Sequence, residues 1–449
     1  MQENRGQFSS KLGFIMAAAG SAVGLGNIWG FPTQAASNGG GAFLLVYLIL
    51  TFLLAYPVLM AELLIGRYAR SNAVEALQQI AIGSKTRRFG FLVGSGGILA
   101  ATFILSFYAI VAGWMIAFVV EPAAILMGAQ STAEWSVTFG NERNIVFTLI
   151  FMLLTIFIVN GGVKDGIEKW SSRLMPMLFV MLLALAGYVL TLDGAMEGLQ
   201  VYLVPDFSQI FNPELIISAL GQAFFSMSLG VGTMLIYGSY VGKQENLPKL
   251  GAYVTLVDTG IAFIAGLLIL PTMYVAKANG VEIFSESGTL LNSDTLIFNV
   301  LPAFFDTMGE SGLLVSIVFF ILMTIAALTS SISMLEVPVA YAVEHGNLAR
   351  KKAGYLIGGL IFVISLVIIF NFGALFGLVI TITTQYAQPI IGLMFCLFIG
   401  WIWHRNSILQ EIKHGYPQAE HSFFWKVWPN YVKFVCPLLI VLLVAQSLG

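Results

Sequence analysis

Eleven long, nearly uncharged apolar runs follow one another along the chain. A helix needs about 20 apolar residues to cross a hydrocarbon core of about 30 Å. Strands of a membrane barrel would instead alternate in segments of about ten residues, and no such alternation occurs here. We therefore predict an all-α integral membrane protein with about 11 transmembrane helices, at residues 12–36, 42–66, 89–122, 144–162, 174–192, 215–240, 251–275, 312–343, 353–370, 373–403 and 430–447.

Charge and cysteine content exclude several other classes of protein. Only 10% of the residues are Asp, Glu, Lys or Arg, against roughly 25% in soluble domains. The formal net charge of -2 provides no field to hold nucleic acid. Cys396 and Cys436 lack metal or redox spacing and are expected to be buried packing residues.

Glycine motifs give no sign of an enzyme. Gly24-x-Gly26 has no preceding strand and no acidic residue about 20 positions later, so it is not a dinucleotide site. Gly39-Gly40-Gly41 lacks the Gly-Lys-Ser/Thr of a phosphate loop. We expect no ATPase and no other enzyme, so transport would use an ion gradient or run downhill.

Basic residues are unevenly divided between the connections. Basic residues concentrate on the cytoplasmic side of membrane proteins, and with the N-terminus in the cytoplasm only Arg143 and Lys277 fall clearly outside. An odd number of spans then puts the C-terminus outside. The eighteen basic residues predicted to lie inside are Arg5, Lys11, Arg67, Arg70, Lys85, Arg87, Arg88, Lys164, Lys169, Arg173, Lys243, Lys249, Arg350, Lys351, Lys352, Arg405, Lys413 and Lys426.

Two spans contain a Gly-x-Gly in the middle of the membrane. The first contains Gly24 and Gly26, the sixth contains Gly230 and Gly232, and glycine costs about 1 kcal/mol inside a helix. Because the pair recurs after five spans, we predict two five-helix repeats of inverted topology, at about 12–192 and 215–403, with an extra helix at about 430–447. The alternative is that these glycines only allow close helix packing.

Polar residues inside spans are the other candidates for function. Glu62, Asp258 and Glu336 are ionisable groups in apolar helices, where such groups are costly. Thr329-Ser330-Ser331 adds hydroxyls to the eighth span. Hydroxyls and carbonyls freed at a helix break are oxygen ligands of the kind sodium requires. The alternative is that the hydroxyls bond back to their own helix.

The segments GLGNIWGFP at 24–32 and NGGGAF at 38–43 resemble the first-helix signature of the neurotransmitter:sodium symporter family, and specifically its bacterial amino-acid transporters. The similarity extends from about Arg5 to Pro389. The resemblance implies sodium-coupled uptake by alternating access at the broken first and sixth helices.

The resemblance also implies site residues. One sodium site would use Gly20, Val23, Ala326, Thr329 and Ser330. The other would use Ala22, Asn27, Ser226, Asp258 and the substrate carboxylate. The substrate pocket would be lined by Ser21, Ala22, Gly24, Gly26, Ile104, Tyr108, Phe225, Ser226, Ser228, Val231, Ser330 and Met334, with Tyr108 bonding the carboxylate and Phe225 closing over it.

Gly24 indicates the class of substrate. By the resemblance, family members that transport monoamines have an acidic residue at this position, which neutralises the amine of the substrate. Gly24 has no such side chain, so the substrate must bring its own carboxylate. Ile104, Val231 and Met334 make the side-chain end apolar. We therefore expect a neutral, hydrophobic or aromatic amino acid.

The expected gates differ from the family pattern chiefly at the outer end, and at the inner end in Phe8, which stands where the family usually has Trp. Gly30 replaces the family's outer-gate Arg, and its acidic partner in the tenth helix is also missing, so outer closure would depend on Tyr108, Phe225 and a water-bridged Gln385. The inner gate would be an ion pair of Arg5 and Glu344, with Ser239 and Tyr240 nearby. The alternative for that pair is two solvated charges worth about 0 to 1 kcal/mol.

Asp258 occupies the position where many relatives have Asn beside a chloride ion. Two sodium ions and a zwitterionic substrate sum to +2, and the Asp258 carboxylate brings this to +1. We expect no requirement for chloride. On the empty return step the buried carboxylate would take up a proton, giving sodium-in, proton-out exchange. The alternative is an Asp258 that only bonds a neighbouring helix.

Two other functions remain open from the sequence: a passive channel, and a membrane sensor that binds an amino acid without moving it. A channel would need a continuous polar stripe. We expect the lipid bilayer and a small amino acid as partners, and a bacterial inner membrane as the location. The oligomeric state is unknown from the sequence.

Overall fold

The computed structural model describes residues 6–283, 297–298 and 301–446, with only the main chain for residue 307. Every helix or strand assigned in these residues is a helix, apart from an isolated β-bridge between Gly40 and Pro205. Nine helices are long and apolar enough to cross a membrane: α3 (Gly41–Ala69), α4 (Ser84–Leu126), α5 (Asn141–Asn160), α6 (Val163–Val189), α9 (Leu247–Ala278), α10 (Glu310–Glu344), α11 (Arg350–Phe370), α12 (Phe372–Ile402) and α13 (Phe423–Gln446). The prediction of an all-α membrane protein is confirmed.

Two further pairs of short helices are each separated by a break. The helices α1 (Lys11–Ala22) and α2 (Gly26–Ser37) are bent by 57° at their break and together pass the same test as a tenth span. The helices α7 (Pro213–Ser226) and α8 (Thr233–Ser239) are separated by residues 227–232. Each half is too short to cross a bilayer alone. The count of eleven spans, the inverted repeats and the repeat boundaries remain predictions.

Helix starts follow ordinary capping chemistry. The Ser10 side chain accepts a hydrogen bond from Gly13 N at the start of α1, 2.9 Å long. Asn212 and Asn246 cap α7 and α9 in the same way, each followed within two residues by a proline. These side chains satisfy amides that have no partner inside the helix.

Several helices extend past the apolar runs in the sequence. The helix α6 begins at Val163, eleven residues before the predicted start at 174. Its first turns contain Lys164 and Lys169, which a hydropathy scan places in a loop. A charged helical end beyond the hydrocarbon core costs little because its side chains remain in water or among headgroups.

The helices around the interrupted spans form one packed core. Helix α1 packs against α6, α9 and α10, while α8 packs along α3 and α4 packs along α10. Both breaks are thus surrounded by long helices. We call the end of this bundle that contains Lys11 and Arg67 the predicted inner end, and the opposite end the predicted outer end.

Arg143, which the sequence predicts to lie in an outer connection, is buried within the protein. Its side chain is only 1% exposed, and its Nε donates to the Ser136 carbonyl at 2.7 Å. The guanidinium lies 4.4 Å from the centre of the Phe139 ring. Counting charges cannot detect such burial, because it arises from aromatic packing between helices.

Candidate functional site

The first helix break exposes main-chain oxygens. Helix α1 ends at Ala22, and Val23 turns to an extended conformation with ψ 109°. Ser330 Oγ on α10 lies 3.4 Å from the carbonyl of Gly20, 3.2 Å from that of Ser21 and 3.0 Å from that of Val23. The break therefore presents three carbonyls to one hydroxyl.

Gly24 lies at the closest point of this break. A Cβ atom added at Gly24 would lie 2.5 Å from Ser330 Oγ and 3.0 Å from Tyr108 OH. Real Cβ atoms do not approach other atoms that closely, so this local packing has no room for a side chain. An acidic side chain at this position would need both neighbours to move.

The second break is held by side-chain contacts. Ser228 has φ 50°, a left-handed conformation that is uncommon for residues other than glycine. Its Oγ donates to the Ser21 carbonyl at 3.0 Å, and its own carbonyl accepts from Thr233 Oγ1 at 3.0 Å. These bonds compensate for the strained backbone and join the second break to the first.

Glu62 accounts for one free amide of this break. Its Oε1 accepts a 2.7 Å hydrogen bond from Gly230 N, and the side chain is fully buried. Gly230 has φ 80°, and a Cβ there would lie 2.0 Å from the Gln388 carbonyl. Glycine is required at 230 for both reasons, and the glutamate fixes the broken segment to α3.

One group of polar side chains contains a carboxylate, and we call it the carboxylate cluster: Asn27, Ser226 and Asp258. Asn27 Nδ2 donates to Asp258 Oδ1 at 2.7 Å and to Ser226 Oγ at 2.9 Å. Ser226 Oγ donates to Asp258 Oδ2 at 3.0 Å. All three side chains are at most 1% exposed, and they come from α2, α7 and α9.

Tyr47 extends this cluster and was not predicted from the sequence. Its hydroxyl donates to Ser226 Oγ at 3.3 Å, and its side chain is 0% exposed. In the sequence it is one aromatic residue within an apolar run. The one available signal for Tyr47 is the general rule that the hydroxyl of a buried tyrosine usually forms a hydrogen bond.

A second group is neutral, and we call it the carbonyl cluster: Gly20, Val23, Ala326, Thr329 and Ser330. Thr329 Oγ1 donates to the Ala326 carbonyl at 3.0 Å. Thr329 Cβ is 3.2 Å from where a Gly20 side chain would begin. All five predicted members thus come together where α1 ends against α10, and their only polar side-chain atoms are the hydroxyl oxygens of Thr329 and Ser330.

The two clusters contain donors suited to a hard cation. Carboxylate, hydroxyl and carbonyl oxygens are the ligands that such ions prefer, whereas zinc or copper sites use histidine and cysteine. Within the described residues no group of three or more His, Cys, Asp or Glu side chains comes together. The chemistry therefore fits sodium.

A cavity lies between the breaks. Eleven of the twelve predicted pocket residues line it. Ser21 does not, because its Oγ donates to Ser333 Oγ at 2.7 Å and only its carbonyl faces the broken segment. The lining residues are Ala22, Gly24, Leu25, Gly26, Ile104, Phe107, Tyr108, Phe225, Ser226, Ser228, Val231, Ser330, Met334 and Gln388.

Leu25, Phe107 and Gln388 were missed from the sequence. Leu25 N lies 3.5 Å from Tyr108 OH and donates to it, so the break also supplies an amide next to the tyrosine. Phe107 is one of many apolar residues of α4. Gln388 directly follows the polar stretch 381–387. The sequence does not indicate which of these neighbouring polar side chains faces the core, so Gln388 could not be singled out.

A larger cavity lies towards the predicted outer end. Phe225 and Gln388 line both cavities and so lie between them. The predicted gate residue Gln385 lines this outer cavity together with Gln34, Gln222 and Gln446. Gly30 faces the amide of Gln222, whose Nε2 donates to the Gly26 carbonyl at 2.8 Å. Neutral amides occupy the region where the family has an outer ion pair.

The predicted inner end contains buried charges. Glu336 is 0% exposed and accepts from Tyr240 OH at 2.6 Å and from Arg350 Nη1 at 3.0 Å. The predicted ion pair of Arg5 and Glu344 remains a prediction, because Arg5 lies outside the described residues. Glu344 Oε2 accepts from Asn72 N at 2.7 Å and from Asn72 Nδ2 at 3.0 Å.

Two further contacts close this end and were not predicted. Arg67 Nε donates to Glu411 Oε1 at 2.7 Å, with both side chains at most 3% exposed. Glu168 accepts from Ser9 N and Ser9 Oγ, each at 2.7 Å. Phe8, where the family usually has Trp, is 8% exposed and donates its N–H to the Tyr240 carbonyl at 3.1 Å. The N-terminal segment is therefore fixed against the bundle.

Comparison with known proteins assigns the chain to a family. The model of the sodium:neurotransmitter symporter family matches residues 5–142 and 136–449. The sodium-dependent transporter YhdH of Bacillus subtilis is 36% identical, with 99% of this chain and 98% of that protein covered. The sodium- and chloride-dependent taurine transporter of the dog is 27% identical, with 77% of this chain and 62% of that protein covered.

A solved structure shows the same fold. The crystal structure of MhsT in complex with L-phenylalanine has 37% sequence identity and a TM-score of 0.84, with 99% of this chain and 100% of that chain covered. The relatives are transporters rather than enzymes. The chain belongs to the sodium:neurotransmitter symporter family and is a sodium-dependent, multi-pass membrane transporter.

Proposed function

We propose that this protein takes up a neutral, hydrophobic or aromatic amino acid by sodium symport, using alternating access around the cavity between the two helix breaks. One observation carries the proposal: a cavity lined by both breaks adjoins two oxygen clusters. MhsT, with which this chain shares 37% identity, was solved with phenylalanine.

The polar end of the cavity supports an amino-acid carboxylate. Tyr108 OH and the amides of the first break converge beside Gly24. No side chain at position 24 supplies a charge to neutralise an amine, and an amino acid brings its own carboxylate. Ile104, Val231 and Met334 supply apolar surface for the substrate side chain.

The clusters support two sodium sites. The carbonyl cluster would hold one ion, using Gly20, Val23, Ala326, Thr329 and Ser330. The carboxylate cluster would hold the other, using Asn27, Ser226 and Asp258 with the Ala22 carbonyl and the substrate carboxylate. Binding of substrate and sodium would then be coupled, because both contribute to one site.

The two ends of the bundle support alternating access through two different kinds of gate, charged contacts at the inner end and an aromatic ring at the outer end. The buried contacts of Glu336, Arg350 and Tyr240 hold the predicted inner end closed. Phe225 lies between the outer cavity and the cavity between the breaks. A small movement of its ring would open or close the connection between the two cavities. We propose a bacterial inner membrane with the N-terminus in the cytoplasm and the C-terminus outside, from the distribution of basic residues.

The test is uptake of radiolabelled amino acids into proteoliposomes with and without an inward sodium gradient. We expect concentrative uptake of phenylalanine, leucine or their relatives only with the gradient, and no competition by Asp or Lys. Uptake that only equilibrates would favour a channel. Binding without uptake would favour a sensor, and equal competition by Asp or Lys would exclude the substrate class.

A further inference from the structure

Gln388 lies where the substrate cavity meets the outer cavity. It begins the second half of α12, next to Pro389, and its side chain is 3% exposed. Its carbonyl packs directly on Gly230, where a Cβ would lie 2.0 Å away. The main chain at Gln388 is therefore fixed against the second break, next to Val231.

The amide oxygen of Gln388 has no donor. Its Oε1 is buried and forms no hydrogen bond with any described residue. The neighbouring Gln222 differs, since its amide donates to the Gly26 carbonyl. A buried acceptor without a partner costs about 1–3 kcal/mol, so such a group in a binding cavity indicates that the ligand provides the partner.

Apolar side chains form part of the cavity wall to which Gln388 belongs. Ile104, Phe107, Val231 and Met334 line the same cavity, and none offers a hydrogen-bonding side chain. The polar groups of the first break lie around Gly24 and Tyr108, and we have assigned them to the substrate carboxylate. Gln388 is a lining residue of the same cavity and adds an amide to these apolar side chains.

We propose that Gln388 is a specificity-determining residue, whose Oε1 accepts a hydrogen bond from an N–H or O–H on the side chain of a neutral amino acid. The inference rests on the proposed function and refines its substrate class. Among aromatic amino acids it favours tryptophan and tyrosine over phenylalanine. A site built to bond a donor discriminates against an analogue that lacks it, because the protein group is then left unpaired.

The experiment compares ligands of nearly equal shape. In 3-benzothienylalanine, sulfur replaces the indole N–H of tryptophan. Both compounds are tested as competitors of labelled leucine uptake in proteoliposomes with a sodium gradient. The wild type is expected to bind tryptophan about 5- to 100-fold more tightly than the sulfur analogue, which corresponds to one hydrogen bond to a buried acceptor.

The variant Q388M removes the amide and keeps the length of the side chain. We expect the preference for tryptophan to fall to within about threefold of unity, a loss of roughly one neutral hydrogen bond. The matched control is Q446M, which makes the same change in the outer cavity and is expected to retain the wild-type preference.

Two results would overturn the inference. The first is a wild type that binds tryptophan and its sulfur analogue equally, which needs no variant and no assumption about folding. The second is an unchanged preference in Q388M. Failure of the proposed function is a different result, because then leucine itself shows no sodium-driven uptake and no competition can be measured.

Discussion

The carboxylate cluster and the carbonyl cluster adjoin one cavity, through Ser226 and Ser330, but differ in charge. Asp258 gives the first a potential negative charge, bonded by Asn27 and Ser226. The second consists of carbonyls and the hydroxyls of Thr329 and Ser330. Neutral oxygens bind a cation according to its radius and charge and do not take up a proton in its place. A carboxylate can bind either the cation or a proton. We therefore expect the proposed site at the carboxylate cluster to take part in charge balance, and the proposed site at the carbonyl cluster to serve mainly in coordination.

The largest effect is expected for Asp258→Asn. Two unit charges 4 Å apart interact by about 4 kcal/mol at an effective dielectric of 20, so removal of the carboxylate should weaken sodium activation by more than about tenfold. The measurement is uptake as a function of sodium concentration. The control is Thr259→Val, whose hydroxyl bonds only its own helix at Thr255. Equal sodium activation in the Asp258→Asn variant and the wild type would make Asp258 a structural residue.

Proton coupling is the next effect and belongs to the carboxylate cluster alone. On the return step the empty carboxylate would be buried without a cation and would take up a proton. Lower internal pH should therefore speed the return and raise uptake, whereas lower external pH should compete with sodium. Asp258→Asn should remove both responses. Measurement uses proteoliposomes with separately buffered interiors, and a variant that keeps the internal response would contradict this assignment.

The carbonyl cluster should respond less to loss of one ligand. Ser330→Ala removes a neutral oxygen, worth about 0.5–1.5 kcal/mol, so sodium activation should weaken about 2- to 12-fold with no change in pH response. Thr324→Val is the control on the same helix, because its hydroxyl bonds back to Phe320. A changed pH response in Ser330→Ala would contradict the assignment of proton coupling to the carboxylate cluster alone.

Tyr47→Phe is expected to have the smallest effect. Its bond to Ser226 is 3.3 Å long, and Ser226 retains its contact with Asp258. We expect sodium activation to weaken about two- to threefold, as for one weak hydrogen bond. The control is Tyr202→Phe, which loses a bond to the Phe263 carbonyl outside the cluster. An identical shift in both variants would show a general effect on stability.

The sequence predicted the parts of the site that contrast with their surroundings. Glycine pairs within apolar runs marked both breaks, and Asp258 and Ser330 were visible as polar residues in spans. Tyr47 and Gln388 were not, since an aromatic residue in an apolar run and an amide in a polar stretch are ordinary. Their roles depend on which helix faces them, and a single sequence does not contain that information.

The ends of the bundle were less predictable than its middle. Hydropathy gave the apolar core of each span but not the charged turns beyond it, such as the start of α6. Arg67 and Glu411 are 344 positions apart, so no local pattern could pair them. The predicted inner gate was identified only through the resemblance, and its Arg5 lies outside the described residues.

Chloride dependence tests the central claim, that a fixed carboxylate in one cluster balances the charge of sodium. The taurine transporter of the dog, 27% identical, is sodium- and chloride-dependent. Sodium-driven uptake of phenylalanine is measured in proteoliposomes with sodium gluconate outside and potassium gluconate inside, and again with the two chloride salts in their place. The account predicts equal initial rates and equal sodium activation in the two salts. Loss of uptake in gluconate, restored by chloride, would contradict it.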